Sequence, residues 1–162
     1  MKLELKSSVN TKKETIEIEG AQTSPNEIAK NLVVNNSSQT PFIAVSTSGK
    51  VNSGLYIIIM GKNMDLSIKA FLASNTLEID YIDSLVFYKS IEYHLILLGM
   101  ASGEESGKLV YLDYNFLTNQ LNQISGLRDT IPASEYSALQ VKSGQAYCCS
   151  FAGEILNLKL KF

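Results

Sequence analysis

The chain has 162 residues, of which 45% are hydrophobic and 19% are charged, and its formal net charge at pH 7 is −2. A chain of this length fits one domain with a core that needs no disulfides, and its apolar content excludes a disordered chain. Lys and Arg total 14 residues, and Arg128 is the only arginine. We therefore expect a single domain over residues 1–162 that has no nucleic acid partner, because such partners require a basic, arginine-rich surface.

The two cysteines and the N-terminus indicate the cellular compartment. Cys148 and Cys149 are adjacent, and neighbouring side chains on a strand point to opposite faces, so a disulfide between them would need unusual geometry. This favours a reducing compartment. The N-terminus lacks the apolar segment of a signal peptide, and the longest apolar run, Leu55 to Met60, is far shorter than the roughly 20 residues of a membrane helix. The sequence predicts a cytoplasmic protein, or a nuclear one, without a membrane partner.

Short segments in which apolar and polar residues alternate recur along the chain. Such a period of two is typical of strands that are buried on one face. In chain order it occurs at Leu3 and Leu5, at Ile16 and Ile18, at Leu77 to Tyr81, and at Leu158 and Leu160. More continuous apolar runs, typical of strands buried on both faces, occupy residues 42–45, 55–60 and 95–98. Segments rich in Gly, Ser and Asn separate the runs, as expected for turns.

The order of strand, turn and strand repeats. The run 42–45 corresponds to 95–98 and Ser53-Gly54 corresponds to Ser106-Gly107, each at a shift of 53 residues (95 − 42 and 106 − 53). A third copy follows at the same shift, with Cys148 to Phe151 in the place of the apolar run. Recurrence at a fixed period of this size indicates a fold built from similar units.

One full unit contains four predicted strands, at about 84–88, 93–100, 108–113 and 120–124. The inner two strands are the most apolar and the last is the most polar. In this order and gradient the unit resembles a β-propeller blade of the WD-repeat type. Tyr111-Leu112-Asp113 lies near the position at which such a blade carries its aromatic–Asp signature. The resemblance covers about residues 30–162, although the chain has no Trp and no Gly-His pair opens a unit.

The resemblance implies an all-β, propeller-like fold of about three blades, each a four-stranded antiparallel unit. The boundaries are a partial blade at 1–20, blades at 30–75 and 83–125, and a partial blade at 136–162. Propellers close with about four to eight blades, so the edges of this array are expected to pair with another copy or another protein. The interaction residues predicted on these edge strands are Leu3, Leu5, Leu158 and Leu160.

An α+β domain with a central antiparallel sheet and two to three helices is the main alternative fold, and a β-sandwich is a third. Ser24-Pro25-Asn26-Glu27 has the residues of a helix start. The segment 115–125 places Leu117, Leu121 and Ile124 on one helical face before Gly126, and 132–143 ends before Gly144.

Residues suited to catalysis are few. His94 is the only histidine, so any site with a histidine base must use it. One histidine and two adjacent cysteines do not form a four-ligand zinc site. The segment Gly103 to Lys108 differs from a phosphate-binding loop in spacing, and a predicted strand follows it. Glu78, Asp80 and Asp83 form an acidic stretch, in which Glu78 and Asp80 fit the solvated face of a strand. We predict no catalytic, metal or cofactor site.

The sequence favours a non-enzymatic protein–protein interaction module, a scaffold subunit of a larger intracellular assembly whose sheet is completed by a protein partner or by self-association. Tyrosines in or beside predicted strands fit an interface as well as a core. One alternative is a small α+β assembly factor or adaptor. The other is a small-ligand-binding protein or an enzyme that uses His94.

Overall fold

A computed structural model of the chain describes residues 2–6, 13–17, 28–35, 41–49, 53–61, 66–101, 106–132 and 136–161. Within these ranges the chain forms thirteen strands and one short 3-10 helix, and it contains no α-helix. All strand pairs are antiparallel. The all-β prediction is confirmed, and the α+β alternative is not supported. No helix in the described ranges has the length and apolar character needed to cross a membrane.

The strands form four sheets in which consecutive strands are neighbours. An N-terminal pair consists of β1 (Lys2–Lys6) and β2 (Lys13–Glu17). Sheet 1 consists of β3 (Ile28–Asn35), β4 (Phe42–Ser48), β5 (Gly54–Met60) and β6 (Leu66–Ala73). Sheet 2 consists of β7 (Ser84–Ile91), β8 (His94–Ala101), β9 (Ser106–Asn115) and β10 (Gln120–Pro132). Sheet 3 consists of β11 (Tyr136–Lys142), β12 (Gln145–Ser150) and β13 (Ile155–Lys159).

Two of the predicted helices are strands in the structure. The segment 115–125 forms a turn and the start of β10, and 132–143 contains β11. Leu121 packs in one core and Ile124 against another, because residues three apart on a strand lie on opposite faces, whereas on a helix they share a face. Ser143 and Gly144 both have positive φ and join β11 to β12 as a two-residue hairpin turn. The predicted helix start at Ser24 lies outside the described residues.

The segment from Leu77 to Tyr81 was predicted as a strand, and this is wrong. The 3-10 helix Ser74–Leu77 comes first, and Glu78 then adopts a left-handed conformation with φ 54°. Leu77 and Ile82 are buried in the core between sheets 1 and 2. These two residues are therefore buried although neither lies in a strand, so their apolar character did not indicate a strand.

The three larger sheets pack face to face, with sheet 2 in the middle. The first strands are neighbours, since both β3 and β11 contact β7, and the last strands of sheets 1 and 2, β6 and β10, also touch. The backbone N–H of Leu139 in β11 donates to the buried Ser84 Oγ in β7 at 3.2 Å. The first strands of neighbouring sheets are thus adjacent, and sheets 1 and 2 stack with their strands in the same order.

Sheet 2 contributes to two cores. The first core lies between sheets 1 and 2 and includes Phe42, Leu55, Leu95, Leu97 and Leu112. The second core lies between sheets 2 and 3 and includes Leu98, Met100, Tyr111, Leu139 and Cys148. Alternate residues of β8 and β9 therefore point into different cores, which is why both strands have near-continuous apolar sequences.

The two outward faces of this three-sheet array differ in polarity. The face of sheet 1 turned away from sheet 2 carries a third apolar cluster, formed by Ile43, Val45 and Ile58, each at most 2% exposed, with Leu66 and Ile68 packed against it. On sheet 3 the side chains that alternate with the second core are mainly polar, and Lys142 pairs in register with Gln145. The Tyr147 hydroxyl donates to Gln145 Oε1 at 2.6 Å on this face.

The repeated Ser-Gly has a steric cause. Gly54 and Gly107 both lie at the start of the third strand of their sheets. A Cβ on Gly54 would come 2.4 Å from a ring carbon of Phe71 and 2.5 Å from the carbonyl oxygen of Leu72, and a Cβ on Gly107 would come 2.5 Å from Ile131. In both sheets the fourth strand thus approaches too closely for any side chain at this position.

We expect Gly54→Ala to reduce the free energy of unfolding by about 1–3 kcal/mol, because the methyl group would displace the backbone of β6. Urea denaturation followed by circular dichroism measures the loss. Gly99→Ala is the matched control, since its Cβ would lie 3.2 Å from the side chains of Ile82 and Val110 and needs a shift of only a few tenths of an ångström, without contact to backbone. Equal losses in the two variants would contradict the steric explanation.

Candidate functional site

The exposed edge of β13 distinguishes sheet 3 from the other two large sheets. The third strands of sheets 1 and 2 each pair with a fourth strand, and most of their residues are buried. β13 is also a third strand, yet within the described ranges it pairs only with β12. Its residues alternate between exposed and half-buried, and Ile155 is 70% exposed. The side of β13 opposite β12 is therefore a site at which a further strand could add.

The backbone groups that face this edge follow from the hydrogen bonds of the hairpin. Ser150 N–H donates to the Glu154 carbonyl at 3.0 Å, and Leu160 N–H donates to the Gly144 carbonyl at 3.0 Å. Directly hydrogen-bonded positions alternate along an antiparallel pair, so Leu156 and Leu158 bond to β12. The N–H and C=O groups of Ile155, Asn157 and Lys159 consequently point to the open edge.

The structure places the predicted interaction residues in different environments. Leu158 is half-buried in β13 and packs against the second core. Leu160 lies beyond the end of β13 and is 5% exposed within that core, so its side chain anchors the chain end. Leu3 and Leu5 lie in β1, where they pair in register with Ile16 and Glu14.

Phe151 and Ile155 belong to this edge; the sequence predicted the segment Ile155 to Phe162 as an edge, but neither residue was among the predicted interaction residues. Phe151 lies in the turn between β12 and β13 and is 78% exposed. Ile155 opens β13 beside it. Apolar residues at the start of a predicted strand are ordinarily assigned to the core, and only the shortness of the turn between Ser150 and Ile155 could have suggested otherwise. Both side chains are thus exposed and apolar near the end of β13 at which the strand begins.

A polar cluster fastens the chain segment after β13 to sheet 2. The Tyr111 hydroxyl donates to Asp129 Oδ2 at 2.9 Å, and Lys161 Nζ forms an ion pair with Asp129 Oδ1. Burial, and then the neighbouring Asp129 carboxylate, raise the pKa of Tyr111 well above its ordinary range. The cluster fixes Lys161 on β10, which holds the end of β13 in place while its outer edge stays accessible.

His94 is held by side chains of β9. Its Nδ1 lies 2.8 Å from Asp113 Oδ2, and its Nε2 lies 3.3 Å from Asn115 Nδ2. The Asn115 side chain is itself oriented, since its Oδ1 accepts the backbone N–H of Leu117 at 2.8 Å. Both ring nitrogens of His94 therefore have partners within sheet 2. This arrangement fastens the start of β8 to the end of β9, as expected of a histidine at a strand end.

The other polar segments considered in the sequence do not converge on a site. Glu78 lies in a turn, where its carbonyl accepts a hydrogen bond from Lys108 Nζ at 2.7 Å. β9 begins at Ser106, so the last three residues of the segment Gly103 to Lys108 lie in a strand, and residues 103–105 lie outside the described ranges. Among the residues that the structure describes, no group of three or more His, Cys, Asp or Glu side chains could hold a metal ion.

The two cysteines face opposite sides of β12, as predicted for neighbours on a strand. Cys148 is buried in the second core, and Cys149 is half-buried on the other face. Burial, together with the neighbouring Cys149, raises the pKa of the Cys148 thiol to about 11. Both thiols are unbonded.

Comparisons with known proteins give no relative for this chain: no family model, no curated protein and no solved structure matches it.

We expect an alkylating reagent at pH 8 to modify Cys149 and to spare Cys148. Thiolate is the reactive form, and a pKa raised from 9.0 to about 11 leaves about a hundredfold less thiolate at this pH, while burial blocks access. Mass spectrometry of the native chain should show one modification, and Cys149→Ala should show none. Modification of the Cys149→Ala variant at the rate of the unfolded chain would contradict this placement of Cys148.

Proposed function

We propose that this chain is a non-enzymatic protein–protein interaction module, a scaffold subunit that accepts an extended strand at the open edge of β13 within a larger intracellular assembly. The observation that supports the proposal is the contrast between β13 and its counterparts. β5 and β9 are largely buried, and each pairs with a fourth strand of its sheet. β13 is paired on one side only within the described chain. A strand added by a partner would cover the half-buried Leu156 and Leu158.

Strand addition suits the backbone and side chains of this edge. Main-chain hydrogen bonds supply affinity and alternate side chains supply specificity in this mode of recognition. The groups of Ile155, Asn157 and Lys159 that face outward would pair with the incoming strand. Leu156 and Leu158 would contact apolar residues spaced two apart on that strand, and Phe151 would contact one end of it.

The same proposal interprets the three large sheets as blades of an open, propeller-like array of the WD-repeat type. Consecutive antiparallel strands, corresponding strands placed side by side and the shared glycine at the start of the third strand support this interpretation. The polar outer face of sheet 3 argues against a further blade packed there. On this view the array ends at sheet 3, and strand addition enlarges that sheet from its edge.

We predict that Asn157→Pro weakens strand binding at least tenfold without unfolding the protein. The Asn157 N–H points to the open edge, so proline removes a donor that only an added strand would use, and edge positions tolerate proline. Leu158→Pro is expected to be more damaging, because it removes a bond to β12 within the sheet. Binding would be measured with a library of octapeptides that alternate apolar and polar residues, by fluorescence polarisation and by amide exchange.

Peptides that bind should slow the exchange of the Ile155, Asn157 and Lys159 amides. Asn157→Pro should weaken their binding at least tenfold, and the matched variant Asn157→Ala should retain it. If no peptide protects these three amides, or if Asn157→Pro binds as tightly as Asn157→Ala, β13 is not the docking edge.

A further inference from the structure

Like β13 of sheet 3, the strands of the N-terminal pair each have one edge without a partner strand in the described chain. β1 and β2 pair only with each other in the described part of the chain, and no other strand makes an extended contact with either of them. A two-stranded hairpin is only marginally stable in water and requires a larger sheet or a packing partner. Within the described chain, sheet 3 thus has three strands where sheets 1 and 2 have four, and the β1–β2 hairpin pairs with no further strand.

We infer that the strand accepted by β13 is β1 of a second copy of this chain. The inference rests on the proposed function and names its partner. β1 and β13 have equal lengths, Lys2–Lys6 and Ile155–Lys159. Each has two leucines spaced two residues apart, so one register can bring both pairs together.

That register is antiparallel, as is every pairing in the described sheets. It places Leu3 opposite Leu158 and Leu5 opposite Leu156, on the side of sheet 3 that adjoins the second core. A shift by one residue would bring Lys2 or Glu4 to this apolar side, and such a shift is costly wherever one face is buried. Ile155, Asn157 and Lys159 would then exchange backbone hydrogen bonds with Lys6, Glu4 and Lys2.

Exchange of the hairpin in both directions gives a closed dimer. Each copy donates β1 and β2 to the other, and each sheet 3 becomes five-stranded, in the order β11, β12, β13, β1 and β2. The same two edges meet twice around a two-fold axis, which is the usual symmetry of soluble dimers. The dimer leaves no open edge on β13 or β1.

The register contains one unfavourable pair that provides a specific test. Lys2 and Lys159 stand directly opposite each other, and like charges at such positions are destabilising. Lys2→Glu alone and Lys159→Glu alone should each tighten the dimer about threefold, because each creates an opposite-charge pair. The double variant has two glutamates at this position and should return towards the wild-type dissociation constant. Sedimentation of the full chain over a range of concentrations measures all four.

A second measurement distinguishes a second copy from the same chain. A nitroxide attached at Glu4→Cys in a Cys149→Ser chain would be mixed with isotope-labelled chain that carries no nitroxide. We expect broadening of the Ile155, Asn157 and Lys159 amides of the labelled copy, and no broadening when that copy carries Asn157→Pro. If the labelled copy shows no broadening, while the same amides broaden in a diluted chain that carries both the nitroxide and the isotope label, the inference is overturned.

The outcomes also separate this inference from the proposed function. If the wild-type chain stays monomeric while library peptides still protect the β13 amides, the second copy is excluded and the proposed function stands. If the dimer forms but none of the three charge variants changes its dissociation constant, the register is wrong and the inference fails. If neither peptides nor a second copy protect the β13 amides, the proposed function and this inference both fail.

Discussion

Burial of β8 and β9 on both faces is the constraint on which the rest of the structure depends. Leu95 and Leu97 pack towards sheet 1, while Leu98 and Met100 pack towards sheet 3. Full burial of a side chain of this size contributes about 1.5–3 kcal/mol relative to exposure. Sheets 1 and 3 each bury an apolar face against sheet 2, and without sheet 2 these faces would be exposed to water. The position of β13, and hence of its open edge, follows from this packing.

The repeat was the part of the fold that the sequence could predict, because it reflects packing that each unit needs for itself. The run 42–45 and its counterpart 95–98 occupy the second strands of sheets 1 and 2, where both faces are buried. Gly54 and Gly107 mark the same close approach of a fourth strand. The third unit has no glycine at the start of β13, since Gly153 lies in the preceding turn, and within the described chain no fourth strand pairs with β13.

The errors had local causes. The spacing of Leu117, Leu121 and Ile124 suits a helix, but in the structure Leu117 lies in a turn while the other two residues face different cores. A shift of register between Gln123 and Arg128 of β10 cannot be seen in an apolar pattern. For the candidate site, the count of strands per unit predicted that the terminal strands would each have one edge without a partner strand. The directions of the backbone groups of Leu158 and Asn157 were not, because they depend on which pairs of the hairpin exchange hydrogen bonds.

The difference in polarity between the outer faces of sheets 1 and 3 limits how copies of this chain can grow into larger particles. Head-to-tail stacking, with sheet 3 of one copy on sheet 1 of the next, would have to uncover Ile43 and Val45, which are 2% and 0% exposed, before Lys142 could reach them. Removing an unpaired charge from water costs several kcal/mol, so this arrangement cannot propagate. The cluster of Ile43, Val45 and Ile58 is at most 2% exposed, so it is already covered within one copy and does not form an apolar surface on which filaments could grow.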